Sequence, residues 1–259
     1  MSRSSASFLL VATAICAVCS ADDAPLAPIF VLTEYSPWTF VMGADSPTFA
    51  FYNDSTVIFV TKSADGKSCH FSKRVGSAEF NALRNRLTLS PVDSVDSEYT
   101  ISLGTDQPQT VFDFSGTKVR VWGHWKPYDL KSCEGPLQAI AEQEKELRAH
   151  LPRKLEELHD FLSSYPRLGA KEWLPEHIEV LFWPFEYARR RSIIWPKEWP
   201  DLSDSRTVKR HDNMYSVYLP SKFLPDLMAL LKRTKGRAAV EVNGKKMAAS
   251  FRFPFPSGL

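Results

Sequence analysis

Apolar residues recur along this chain in two rhythms. Between residues 28 and 62 they alternate or form short blocks, which is the pattern of strands. Ile29 to Thr33 and Trp38 to Met42 predict short strands. Thr48 to Tyr52 and Thr56 to Lys62 predict a hairpin around Asn53-Asp54-Ser55, because Asn and Asp tolerate left-handed turn geometry. His70 to Val75 predicts a further strand. The rhythm then turns helical: Ser77 is placed to cap a helix whose Phe80, Leu83 and Leu87 share one face. Strands return at Glu98 to Leu103, Thr110 to Phe114 and Lys118 to Trp122, separated by turns at Asp106-Gln107-Pro108 and Ser115-Gly116.

Residues 126–136 are rich in Pro, Gly, Lys and Ser and predict a linker. Leu137 to Leu151 predicts a charged amphipathic helix. Pro152 opens a second, with Leu151, Leu155, Leu158 and Leu162 on its apolar face. Strands follow at Ile178 to Phe182 and Tyr215 to Leu219, then a helix over Ser221 to Lys232, with Ser221 as its cap. Ala238 to Val242 and Met247 to Phe253 predict a closing hairpin around Asn243-Gly244, the strongest short hairpin signal.

The elements add up to an α+β fold of mostly antiparallel strands, because the turns are too short for parallel crossovers. It divides into an N-terminal half over 28–125, a linker and helical segment over 126–172, and a C-terminal half over 173–256. The spacing of Ser77, Phe80, Leu83 and Leu87 matches that of Ser221, Leu224, Leu227 and Leu231. Each set follows a strand and precedes a hairpin, which raises either a duplication or a coincidence of a common pattern.

The first 21 residues stand apart. Arg3 is the only charge before Asp22, an apolar run of 11 residues spans Phe8 to Val18, and Ser20-Ala21 precede Asp22-Asp23. That order is that of a secretory signal peptide, and the run is too short for a span of ~20 residues. The expected product is secreted or periplasmic after cleavage near Ala21, with no transmembrane segment in the mature chain. Without residues 1–21 the chain carries 31 basic and 30 acidic side chains, a balance that selects for neither nucleic acid nor an anionic surface. Cys69 and Cys133 remain as the mature cysteines, and in an oxidising compartment they are expected to form a disulfide; the rival reading, a reactive or metal-binding thiol pair, lacks the short CxxC spacing usual for metal sites. Closing that loop stabilises by ~4 kcal/mol in the chain-entropy view.

Residues 49–58, Phe-Ala-Phe-Tyr-Asn-Asp-Ser-Thr-Val-Ile, resemble the "LYGDGTVI" hairpin of a family of uncharacterised exported bacterial proteins. Thr105 to Thr110, the aromatic–Gly pair Trp122-Gly123, and the Gly-centred hairpin that leads to Phe251-Arg252-Phe253-Pro254-Phe255-Pro256 resemble later segments of the same family. Ser55 stands where the family has a turn Gly, and its "RPLLP"-like ending is altered. The resemblance implies export and architecture; it transfers no catalytic residue.

No motif of established chemistry is present. The six histidines form no HExxH or HxH cluster, there is no GxSxG elbow, and there is no P-loop or GxGxxG, so no metal and no cofactor is expected. Asp45, Asp113, Glu179 and Glu186 lie near strands or aromatics, but nothing in the sequence pairs them. Asn53-Asp54-Ser55 is also a glycosylation sequon. The most distinctive positive feature is Trp173, Trp183, Trp195 and Trp199, three of them in Trp-Pro dipeptides. Proline stiffens a loop and an indole offers a flat face, so an exposed set would stack on a glycan or hold a peptide. The competing reading is that these indoles plug the core. Arg189-Arg190-Arg191 beside them is either a solvated charge run or a contact for an acidic partner. The function expected is therefore a non-catalytic binding or envelope-associated module, with an extracellular hydrolase or a structural assembly protein as alternatives.

Overall fold

The computed structural model describes residues 26–35, 46–63, 66–89, 95–127, 135–210, 213–234 and 237–256. The signal peptide expected over residues 1–21, the strand expected over Trp38 to Met42, Asp45 and Cys133 lie outside these residues. Within them the chain forms four helices and fourteen strands in two mostly antiparallel sheets, an α+β fold.

The first sheet is built from β1 (Pro28–Tyr35), β2 (Pro47–Tyr52), β3 (Thr56–Lys62), β4 (Ser68–Arg74), β5 (Glu98–Thr100), β6 (Gln109–Phe114), β7 (Thr117–Trp122) and β8 (Lys171–Glu172). Its strand order is β5-β7-β6-β1-β2-β3-β4-β8. The β2–β3 turn carries its strain at Ser55, which takes φ 73° where glycine would be free. Asp54 offsets this by accepting bonds from the Thr56 N–H at 2.9 Å and the Thr56 hydroxyl at 2.8 Å.

Alternation decides which face each side chain meets. Phe30, Leu32, Phe49, Phe51, Val57, Phe59 and Phe112 point to one face. There they pack against Leu83 of α1 (Ser77–Arg86) and against Leu155, Leu158 and Leu162 of α3 (Arg153–Ser163). Val31, Ala50, Tyr52 and Ile58 point the other way and are just as buried, under Phe255. Two covered faces explain why β2 and β3 read as near-continuous apolar runs. The segment 126–172 thus completes the N-terminal core in its second helix. Helix α2 (Pro136–Ala149) is tied instead by polar contacts: Glu144 accepts the Leu103 N–H at 2.8 Å, and Arg148 donates to the carbonyls of His124 and Trp125.

The second sheet contains β9 (His177–Pro184), β10 (Arg190–Ile194), β11 (Val208–Lys209), β12 (Tyr215–Pro220), β13 (Ala238–Val242) and β14 (Lys245–Arg252), in the order β10-β13-β14-β9-β12-β11. Its core holds Ile178, Val180, Phe182, Val217, Leu219, Val240 and Met247 under Leu227 and Leu230 of α4 (Leu224–Thr234). Two capping expectations are corrected. Gly76, not Ser77, stands at the N-cap of α1. The Ser221 hydroxyl donates to the Pro175 carbonyl, fastening a 3-10 turn (Ser221–Phe223) that leads into α4. The likeness between the halves ends at the order of their elements. The first hairpin joins its sheet through its earlier strand, β6 beside β1, and the second through its later strand, β14 beside β9.

Candidate functional site

The four tryptophans do not assemble into a contact face. Trp195 and Trp199 are core residues, 4% and 6% exposed. Their rings meet edge to face at 4.9 Å, Trp195 stands 5.0 Å from Phe182, and its N–H donates to the Pro200 carbonyl at 2.9 Å. The expectation that they bind ligand is therefore corrected, and the reason is β10. Along that strand Ile193 packs on the core, Ile194 is 61% exposed, and Trp195 turns inward again. Trp173 is half-buried, with its ring 5.2 Å from Phe255 and 6.1 Å from His70. Trp183 is half-buried on β9 opposite Ala248. Cys69 lies half-buried on β4 and forms no disulfide with a described residue.

Two polar clusters invite a catalytic reading. Glu179 on β9 is 1% exposed and is bound by three donors. Arg252 reaches it at 2.6 Å, Arg210 at 2.6 Å and the Ser216 hydroxyl at 2.7 Å. Burial by itself raises the carboxyl pKa, but the bonds from Arg252, Ser216 and Arg210 outweigh it and hold the group below its ordinary value. A carboxylate so enclosed has no open side for a substrate. Its role is to make burial of Arg252 and Ser216 tolerable.

The second cluster lies where β1 meets α3. His159 Nε2 is 3.4 Å from Glu34 Oε1 and 3.4 Å from the Ser163 hydroxyl, and Trp125 stacks on the imidazole at 4.0 Å. The His159 hydrogen bond is the main cause of a lowered Glu34 pKa. Glu34 and Ser163 border a hollow of about 670 Å³. Yet both partners share one ring nitrogen, while the acid beside the buried Nδ1, Asp160, holds its Oδ1 at 3.9 Å, beyond hydrogen-bond reach. A serine–histidine–acid relay needs the acid on one nitrogen and the hydroxyl on the other. With Glu34 and Ser163 both on Nε2 and no acid bonded to Nδ1, the cluster lacks that arrangement.

The remaining candidate is a cleft of about 420 Å³ between the two sheets. Pro47, Thr48, Val60, Ser68 and His70 form one wall, from the ends of β2, β3 and β4. Leu224, Met228, Phe251 and Phe253 form the other, from α4 and the end of β14. The volume falls in the range of small-molecule sites, and Met228 stands 54% exposed at the lip. The cleft is electrically quiet. His70 sits 4.8 Å from the Phe253 ring, and burial lowers its pKa to about 4, so it is neutral near pH 7. Arg252, which also borders the cleft, is bonded to Glu179. Past Arg252 and Phe253 a smaller hollow of about 290 Å³ continues along Val31, Val111 and Asp113.

The sequence does not announce this cleft, because its residues span positions 46 to 253 and none sits in a motif of known chemistry. Among the described residues there is no group of three His, Cys, Asp or Glu side chains placed to hold a metal ion. No helix among them is long and apolar enough to cross a membrane. Comparison with protein-family models, with curated proteins and with solved structures finds no match to this chain.

Proposed function

We propose that this protein is an exported, non-catalytic binding module that takes an uncharged, mainly apolar ligand into the cleft between its sheets. The observation that carries this reading is the make-up of that cleft. Two cores supply its apolar walls, and among the described residues that line it the titratable ones are a neutral imidazole and an arginine bonded to Glu179. A charged ligand would lose hydration there and meet no free partner among the described residues, whereas an acyl or aryl group loses only unfavourable contact with water. Ser46, Thr48 and Ser68 supply hydroxyls that orient one polar end. Export rests on the signal-like order of residues 1–21.

The neutral dye Nile red is the first probe. Saturable binding to the full chain is expected, weakened at least tenfold in Ser68→Trp, which fills the cleft from an exposed position. Unchanged affinity in a folded Ser68→Trp protein, or no saturable binding to the parent, refutes this site. A second reading, an extracellular hydrolase, is favoured by the Glu34–His159 pair beside its hollow. Labelling of Ser163 by a fluorophosphonate would establish it; the shared Nε2 predicts no labelling.

A further inference from the structure

We propose that the open edge of β10 is a docking site for an acidic, extended polypeptide segment, which adds to the second sheet as one more strand. The chain's own topology supplies the first reason. Among the described residues β10 lies at the end of its sheet with β13 as its one neighbour, so its other side presents backbone groups to no described strand. The other sheet edges, β5, β8 and β11, are only three, two and two residues long, whereas β10 has five. The Trp195 N–H is spent on the Glu241 carbonyl at 2.9 Å. Backbone direction alternates along a strand, so the Ile194 N–H faces the open side.

The side chains supply the second reason. Beside the edge lies a hollow of about 730 Å³ bordered by Arg190, Arg191, Ile194, Arg233, Glu241 and Lys246. Four cations thus face one carboxylate, and none of the four holds a salt bridge among the described residues. Ile194 adds an apolar foothold that is 61% exposed. The chain as a whole carries a formal net charge of only +2, so this is a local concentration of charge rather than a share of a basic surface.

The occupant follows from these features together. A ladder of peptide N–H and C=O groups complements an open strand edge; a nucleic-acid backbone has no such ladder. A second copy of the chain would bring Arg190 and Arg191 against themselves, and like charges opposed on a ladder destabilise it. A strand with carboxylates at alternate positions satisfies both backbone and charge.

The test uses the full-length chain and a labelled eight-residue peptide of alternating valine and glutamate, read by fluorescence anisotropy. Saturable one-to-one binding is expected, weakening as salt rises. Ile194→Pro removes the outward N–H while sparing the β13 pairing, and it should lower affinity at least tenfold with the melting temperature nearly unchanged. Arg190→Glu with Arg191→Glu should do the same. If Ile194→Pro fails to fold, the arginine pair still decides the matter. The proposal is overturned by absence of binding or by equal affinity for a valine–threonine peptide. Equal capture of a single-stranded oligonucleotide that Ile194→Pro leaves unaffected overturns it too. So does self-association that Ile194→Pro abolishes.

Discussion

Replacing Phe255 by alanine tests how the two sheets are joined. Phe255 is 3% exposed and lies on Val31, Ala50, Tyr52 and Ile58 of the first sheet, although the strand leading to it belongs to the second. Its ring meets Trp173 edge to face at 5.2 Å and stands 6.3 Å from His70, and the Tyr52 hydroxyl donates to the Pro256 carbonyl beside it at 3.4 Å. Truncating a buried Phe to Ala costs about 3–5 kcal/mol. The neighbouring hollow of about 290 Å³ lets water relieve part of the void, which places Phe255→Ala near the low end, about 3 kcal/mol. For a chain of this size that corresponds to a fall of about 6–12 °C in Tm. A second readout separates this contact from general damage. His70 owes its pKa of about 4 to burial, so loosening the tail should move it up toward the ordinary imidazole value of about 6.5. Urea unfolding gives the first quantity and NMR titration of the His70 ring the second. A loss below about 1 kcal/mol with His70 still titrating near 4 would refute the view that this tail seals the sheet.

His70 also makes stability depend on pH. Its folded pKa of about 4 lies below the unfolded value, so the unfolded chain binds the extra proton between about pH 6.5 and pH 4. Stability is therefore full above pH 6.5 and falls as pH drops through that window. The shift of about 2.5 units is worth ~3 kcal/mol, and screening at a half-buried ring reduces this to about 1–2 kcal/mol. His70→Asn should flatten urea midpoints across the window, and an unchanged slope would count against the assignment. Glu179→Gln removes the charge that Arg252 and Arg210 bond and should cost about 3 kcal/mol in urea unfolding. A neutral outcome would show the cluster to be dispensable. Gly123 has φ 127°, and a Cβ there would lie 2.7 Å from the Ser102 backbone nitrogen. Gly123→Ala should cost about 2 kcal/mol in thermal melts, and a silent substitution would mean the loop is free to move.

The strands and helices were legible where local rules suffice. Asn243-Gly244 turns with φ 48° and 73°, as that dipeptide predicts, and the leucines of α3 face the core at their helical spacing. Legibility failed where a strand was hidden by its composition. Arg190 to Ile194 begins with charges and precedes Trp-Pro, so it reads as a loop, and with the strand went the alternation that sends Trp195 inward. The parallel partner adds to this, because β10 pairs with β13 across more than forty intervening residues and has no turn to announce it. The cleft was illegible for a different reason. Pro47, Val60, His70, Met228 and Phe253 are each ordinary where they stand in the chain, and they meet only because the last strand leaves one sheet and crosses the other.

That crossing explains why hollows exist there at all. A sheet of eight strands spaced by about 4.8 Å is roughly 34 Å wide. On one face two helices and their leucines cover the central strands. On the other, among the described residues, the run from Arg252 to Pro256 leaves β14 and crosses the sheet, and one such run covers a band of about 10 Å. Phe255 seals the centre of that band over Ala50 and Ile58. To either side, Val31 and Val111 border one hollow and Val60 borders the other, the latter flanked by α4 and its exposed Met228. Covering a broad apolar face with a narrow strap leaves apolar space at its margins, and a protein selected for packing alone would fill it with larger side chains. Here the margins keep Pro47, Thr48, Val60 and Ser68, small residues beside a neutral histidine. The economy of the cover and the smallness of its lining are the features on which the proposed ligand site rests.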